Sequence, residues 1–202
     1  EIKSFLEHPK FTKELNKELL APYLTFSFTP TTETFFKGVN RLNPGHSLTY
    51  KNGEIKIEEY YAYDFKEQKR SYEEAVKEIS EVMEDSVKHH LESDVEVGSF
   101  LSSGIDSSYI VSLARPDKTY TVGYDIPKYS EIAYAEDLTN RLNIKNISRK
   151  INKDEYMKIV PKIMYHMDEP FCDAASIALY FLSELASRDV KVVLSGEGAD
   201  EF

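Results

Sequence analysis

The stretch Ser99-Phe100-Leu101-Ser102-Ser103-Gly104-Ile105-Asp106-Ser107-Ser108 decides how this chain is read. It follows Val95-Glu96-Val97 and opens onto Tyr109-Ile110-Val111-Ser112-Leu113. That order predicts a strand over 95–101, a tight loop of small residues, and a helix over 106–114. Small side chains leave backbone N–H groups and hydroxyls facing outward at the helix start. Unpaired donors and the helix dipole both favour a multiply charged anion there. The loop has no lysine and does not fit G-x-x-x-x-G-K-[ST], so it is not a Walker A loop. The competing reading is an ordinary N-cap cluster, because Ser and Asp are common caps. Asp106 would then only balance the helix dipole.

A second segment adds to the first. Val190-Lys191-Val192-Val193-Leu194 is a short β-branched run, as expected of a buried parallel strand. It empties into Ser195-Gly196-Glu197-Gly198-Ala199-Asp200-Glu201. Two glycines and a serine allow close backbone approach to a ligand. The carboxylates of Glu197, Asp200 and Glu201 are costly to crowd unless something positive sits there, and Mg²⁺ on a polyphosphate is the natural candidate. Without that context the segment would read as a solvated acidic loop. The first loop fits the pattern S-G-G-x-D-S, which grips pyrophosphate in enzymes that split ATP between the α and β phosphates. Ser103 stands where that pattern usually has its first glycine.

Outward from these loops the chain alternates strand and helix. A capping-box pattern, Ser71 with Glu74, opens a helix. Ala75, Ile79, Val82, Met83 and Val87 recur along it at helical spacing and read as core. After 95–101 and 106–114 come a strand over 119–124, a helix from Ser130, a strand from about Ile144 to Ile151 and a helix from Asn152. A last helix runs from about Ser176 to Arg188, ahead of the strand at 190–194. Such alternation predicts a doubly wound α/β fold with a parallel sheet. Ligands of such sheets sit at the carboxyl ends of the strands, where both loops fall. The N-terminal part reads differently. Residues 1–20 are charged and partly helical, and short β runs are expected at Leu24 to Phe28 and Thr34 to Val39. A hairpin is expected around Asn52-Gly53, which suits a type I′ turn. The charged connector Phe65-Lys66-Glu67-Gln68-Lys69-Arg70 carries the domain boundary, giving domains 1–65 and 66–202.

The two loops together, F-L-S-S-G-I-D-S-S at 100–108 and V-V-L-S-G-E-G-A-D-E at 192–201, resemble the synthetase domain of glutamine-hydrolysing asparagine synthetases. Three further stretches carry the resemblance. Thr121-Val122-Gly123-Tyr124, then Tyr129-Ser130-Glu131-Ile132-Ala133-Tyr134-Ala135, is similar to the family's second strand and its S-E-x-x-Y-A helix. Asp168-Glu169-Pro170-Phe171-Cys172-Asp173-Ala174-Ala175-Ser176 is similar to its D-E-P segment. Phe35-Phe36-Lys37-Gly38-Val39-Asn40-Arg41-Leu42-Asn43-Pro44-Gly45-His46 resembles the tail of its glutaminase domain. The resemblance implies a sheet of the ATP-pyrophosphatase, or adenine nucleotide alpha hydrolase-like, type behind a partial β-rich glutaminase tail.

It also implies a reaction: aspartate becomes asparagine through β-aspartyl-AMP, with ATP and Mg²⁺ required and ammonia drawn from glutamine. ATP would be held by Leu101, Ser102, Ser103, Gly104, Asp106, Ser107, Ser108, Val122, Gly123, Ser195 and Gly196. Leu101, Val122 and Gly196 would line the adenosine pocket, and the serines and Gly104 would meet the pyrophosphate. Asp106 and Asp200 would hold Mg²⁺. Glu197 would take a proton as ammonia attacks, or orient substrate. The partners implied are small molecules (ATP, aspartate, glutamine or ammonia), with a homodimer as the candidate full-length assembly. Both ends read as cut, at Glu1 and Phe202, so this stretch alone is expected to be inactive. The family's glutaminase cysteine and a phosphate-neutralising lysine would lie outside it.

Composition bounds the alternatives. A formal net charge of −10 argues against general nucleic-acid binding, which needs a basic face. No apolar run reaches the length of a membrane span, no signal-peptide pattern opens the chain, and a cytoplasmic location is expected. One cysteine, Cys172, excludes an intrachain disulfide and reads as a small packed residue. His89-His90 reads as a solvated pair rather than a metal site. Competing functions are a β-lactam-forming relative with the same adenylating chemistry and a non-catalytic ATP-binding piece, to which Ser103 gives an opening. tRNA-thiolating users of the same loop need paired cysteines.

Overall fold

The computed structural model describes residues 1–170, 173 and 175–198. Two compact units emerge, one of Glu1–Lys69 with Met164–Asp173 and one of Arg70–Ile163 with Ala174–Phe202.

In the first unit, short 3₁₀ segments at Ile2–Glu7 and Lys17–Leu19 lead into helix α1, Leu20–Phe26. Its small core joins Leu19, Tyr23 and Phe35. The Tyr23 and Phe35 rings meet edge to face, with centroids 5.2 Å apart. Strands β1, His46–Lys51, and β2, Glu54–Glu59, pair antiparallel around Asn52 and Gly53, both at positive φ, as the Asn-Gly pair predicts.

The two β runs expected upstream are not strands. Leu24 to Phe26 belong to α1, where Leu19 and Tyr23 fall one helical turn apart and bury together against Phe35. Tertiary packing overrides the local β preference of the run. Thr34 to Val39 folds back on itself. The Thr34 hydroxyl donates toward the Val39 and Phe36 carbonyls, at 2.9 and 3.1 Å, and Gly38 sits at φ +81°. Only isolated bridges, Leu15 with Phe36 and Glu33 with Asn40, form there.

Asp168 also sits in this unit, at φ +62°. Its carboxylate accepts the Ile2 and Lys3 amides at 2.7 and 3.1 Å and pairs with the Lys3 ammonium at 3.0 Å. Both side chains are nearly covered, at 9% and 12% exposure. Burial pushes the Asp168 carboxyl up, but the Lys3 ammonium and the two amides outweigh it, and the group ends below its ordinary value. A depressed carboxyl contributes stability that is present above the unfolded value, about 3.9, and is lost as pH falls through the folded one. Hydrogen exchange of the amides of residues 2–7 should therefore stay slow from neutral pH down to about pH 4 and accelerate below it. Asp168→Asn should show fast exchange already at neutral pH. Unchanged protection in the variant would remove this clamp from the account.

The second unit begins with helix α2, Tyr72–His90, capped as its sequence predicts. The Glu74 amide donates to the Ser71 hydroxyl at 3.2 Å, and the Ser71 amide donates to the Glu74 carboxylate at 2.9 Å. Its expected core face is only partly covered: Val87 is buried and Ala75 and Met83 are half-buried, but Ile79 and Val82 are 47% and 62% exposed. Cover reaches this face at its C-terminal end only.

Four parallel strands follow: β3 Val97–Phe100, β4 Lys118–Tyr124, β5 Lys145–Ile151 and β6 Val192–Leu194. Their order is β5-β4-β3-β6. The connecting helices are α3 Ile105–Ala114, α4 Ile132–Leu142, α5 Lys153–Met167 and α6 Ala175–Ala186. Leu101, Val111 and Ala135 form one buried cluster, joined by Leu138, Leu142 and Ile144. Tyr120, Leu185, Ala186 and Val190 form another, with Phe100, Ile147, Leu182 and Val193. Neighbours Phe100 and Leu101 thus go to opposite clusters, α3 and α4 covering one face and α6 the other, which is the doubly wound α/β arrangement.

Hydroxyls within the sheet are paired internally. Thr121 Oγ1 donates to the Leu101 carbonyl at 2.9 Å. Thr119 and Thr121 both reach Asn146 Oδ1, at 3.0 and 3.1 Å. These bonds hold the end of β3, where the first loop begins, against its neighbours.

Candidate functional site

Strand β3 ends at Phe100, and the chain turns through Leu101–Gly104 into α3, with Gly104 as the N-cap. Serines brace this turn. The Ser102 amide donates to Ser107 Oγ at 3.2 Å, the Ser102 and Ser107 hydroxyls share a bond of 2.8 Å, and the Gly104 amide donates to Ser102 Oγ at 3.1 Å. Ser108 Oγ donates to the Gly104 carbonyl at 2.7 Å. The first-turn amides of α3 have no acceptor within the helix and open outward, which is the anion-favouring end of its dipole. Asp106 lies in that first turn, exposed.

The second loop lies directly against the first. Because β6 pairs with β3, Val97 to Val192 and Ser99 to Leu194, their carboxyl ends are neighbours. A Cβ added to Gly196 would fall 2.7 Å from the Ser107 amide nitrogen and 3.1 Å from Asp106 Cβ, so only glycine fits this approach. The Ser195 hydroxyl accepts the Glu197 amide at 3.3 Å, and Gly198 turns the chain at φ +90°.

A cavity of about 680 Å³ opens at this point, within the range of small-molecule sites. Of the residues singled out in the sequence, Leu101, Ser102, Gly104, Asp106, Ser107, Val122, Ser195, Gly196 and Glu197 line it. Its apolar wall comes from Leu101, Val122 and the α6 residues Ala178, Leu179 and Leu182. Ser103, Ser108 and Gly123 are not among the lining residues described. Gly123 is instead buried beneath the entry to α4, where a Cβ would come within 2.4 Å of Ser130 Oγ. Asp200 lies outside the described residues, as does Cys172.

The structure adds residues to the lining that the sequence reading did not single out: Tyr124, Tyr129 and Glu131, beside the α6 side chains. Burial, with Tyr156 and Glu131 nearby, pushes the Tyr124 phenol up from its ordinary value. Among the described lining residues there are three carboxylates, Asp106, Glu131 and Glu197, and no lysine, arginine or histidine. A polyphosphate would enter such a cavity only with a cation. Among the described residues no group of three or more His, Cys, Asp or Glu side chains converges as a metal cage. That fits Mg²⁺, which takes one or two protein carboxylates and fills its other positions with phosphate oxygens and water. His89 and His90 are exposed, each with its ring Nδ1 2.8 Å from a backbone carbonyl one turn back.

Among solved structures the chain is similar to an NH₃-dependent NAD synthetase from Campylobacter jejuni, at 19% identity and a TM-score of 0.41, covering 62% of this chain and 58% of that one. Among curated proteins it is similar to asparagine synthetase [glutamine-hydrolyzing] 1 of Bacillus subtilis, 43% identical over 94% of this chain. A putative asparagine synthetase of Mycobacterium tuberculosis is 34% identical over 95% of it. The chain spans 31% of the length of each of these two relatives. A glutamine amidotransferase domain model matches residues 1–61, and the asparagine synthase model matches residues 78–202. With that match over more than half its length, and with both loops of the cavity inside it, the chain belongs to the asparagine synthase family.

Proposed function

We propose that residues 66–202 are the first part of an ATP-binding asparagine synthetase domain and residues 1–65 the last part of its glutamine amidotransferase domain. The whole protein makes asparagine from aspartate, ATP and ammonia released from glutamine, in the cytoplasm and as a homodimer. No described helix is long and apolar enough to cross a membrane. The observation that carries the reading is the packing of Gly196 on Asp106 and Ser107 over one cavity. Two loops far apart in sequence thereby face one ligand.

A carboxylate does not yield an amide directly, because oxide is a poor leaving group. An oxygen of the aspartate β-carboxylate attacks the α-phosphorus of ATP, the bond to the β-phosphate breaks, and pyrophosphate leaves. Ammonia then attacks the β-carbonyl carbon of β-aspartyl-AMP, AMP departs, and one proton is lost from nitrogen. Charge grows on the departing pyrophosphate, so catalysis wants donors already aimed at it. The first-turn amides of α3 and the hydroxyls of Ser102 and Ser107 are placed to supply them. The adenosine half rests on Leu101 and Val122, with Gly196 admitting the chain close to the ligand. Glu197, exposed beside the cavity, is the group to accept the proton from the incoming nitrogen. Asp106, with Asp200, would hold Mg²⁺, which supplies charge neutralisation for the leaving group.

Calorimetry of the full-length protein with ATP tests the reading. Binding is expected with Mg²⁺ and should be much weaker in EDTA. Absence of binding at millimolar ATP with Mg²⁺ would overturn it.

A further inference from the structure

Ser103 departs from the usual pattern of its loop, and the structure shows where its hydroxyl goes. It donates to Glu131 Oε1 at 3.0 Å, from the loop after β3 to the residue that caps α4. Ser103 is not at positive φ, so the backbone accepts a side chain there without strain. Glu131 is half-buried, lines the cavity beside Tyr124 and Tyr129, and stands at a helix N-terminus that favours its ionised form. The hydroxyl therefore holds a carboxylate against the loop proposed to receive the phosphates. No basic side chain among the described lining residues offsets it.

We propose that Glu131, held in place by Ser103, is an electrostatic filter that rejects metal-free polyphosphate and admits its divalent-cation complex. This rests on the ATP reading of the cavity. Free pyrophosphate and free ATP meet an uncompensated like charge at the loop. In their Mg²⁺ complexes the cation offsets that charge, so the penalty falls mostly on the free anions. Glu131 acts on the ligand directly. Ser103 is a positioning residue, because without its hydroxyl the carboxylate is free to turn toward water. A glycine at position 103 cannot make this tether, so the departure from the pattern itself supplies the device.

The test uses the full-length protein, with inorganic pyrophosphate and ATP as probes, each titrated calorimetrically with Mg²⁺ and in EDTA. Glu131→Gln keeps a carbonyl oxygen for Ser103 and removes the charge. It should bind metal-free pyrophosphate about tenfold tighter and its Mg²⁺ complex less than about threefold tighter, as expected for removing one unit charge near the ligand. Ser103→Gly should shift metal-free binding in the same direction by a smaller factor, and Ser103→Thr should restore the wild-type value. Equal gains for free and complexed anion, or no gain in a folded Glu131→Gln protein, would overturn the filter while leaving the ATP reading intact. No binding of either probe by the wild type in either condition would overturn the ATP reading, and the filter with it.

Discussion

Replacing Asp106 by alanine in the full-length protein is expected to slow ATP–pyrophosphate exchange by about a hundredfold or more, since loss of metal-assisted stabilisation amounts to several kcal/mol and each 1.36 kcal/mol is tenfold in rate. The expectation follows from the charge balance of the cavity. Its described lining residues include no lysine, arginine or histidine, so nothing there but backbone and hydroxyl donors opposes the charge of a departing pyrophosphate. Mg²⁺ must then carry most of the neutralisation, and Asp106 is the carboxylate in the first turn of the helix that the phosphates would face. Asp200→Ala should behave alike. The bland account of Asp106, a carboxylate balancing a helix dipole, predicts something else: stability lower by about 0.3–1 kcal/mol and exchange almost unchanged. Thermal melting and exchange measured on the same sample separate the two. Wild-type exchange in a folded Asp106→Ala protein would remove the metal role.

The sheet and its two loops were legible because each carries a local signal. β-branched or apolar runs end in Ser-Gly clusters, and helical spacing resumes at once. The Asn52-Gly53 turn and the Ser71–Glu74 cap were legible for the same reason, since their chemistry is written in two to four adjacent residues. Where the sequence misled, the deciding contact was distant. Leu24 to Phe26 have the composition of a strand, yet Leu19 and Tyr23 pack on Phe35 and make the stretch a helix. Ile79 and Val82 have the spacing of a core and lie exposed, because spacing says which face is apolar and not what covers it. In the cavity, Glu131 and the α6 residues went unseen. They come from elements whose approach depends on strand order, which no motif encodes. Ser103 was visible as an anomaly, but its partner, 28 residues along the chain, was not.

Gly196→Ala should leave the fold nearly intact and reduce exchange about a hundredfold, the scale expected when reacting groups are misplaced by about an ångström. Gly196 is not at positive φ, so alanine meets no backbone penalty there. The effect is steric. The added methyl would lie 2.7 Å from the Ser107 amide nitrogen and 3.1 Å from Asp106 Cβ, closer than packed atoms tolerate. The atom it meets is helix backbone, which cannot swing aside like the end of a side chain. Behind the glycine, Leu194 is buried, and its carbonyl accepts the Ser99 hydroxyl at 3.3 Å, so β6 stays in place. The displacement must therefore fall on residues 195–198, which carry Ser195 and Glu197 away from the first loop and widen the cavity between them. Gly198→Ala provides the contrast. Position 198 has open space but a φ of +90°, so the substitution strains the turn locally without pushing the two loops apart. Its loss of exchange should be clearly smaller than that of Gly196→Ala, with a comparable or larger loss of thermal stability. Equal activity losses in the two variants, or wild-type exchange in Gly196→Ala, would mean that close contact between the loops is not what assembles the site.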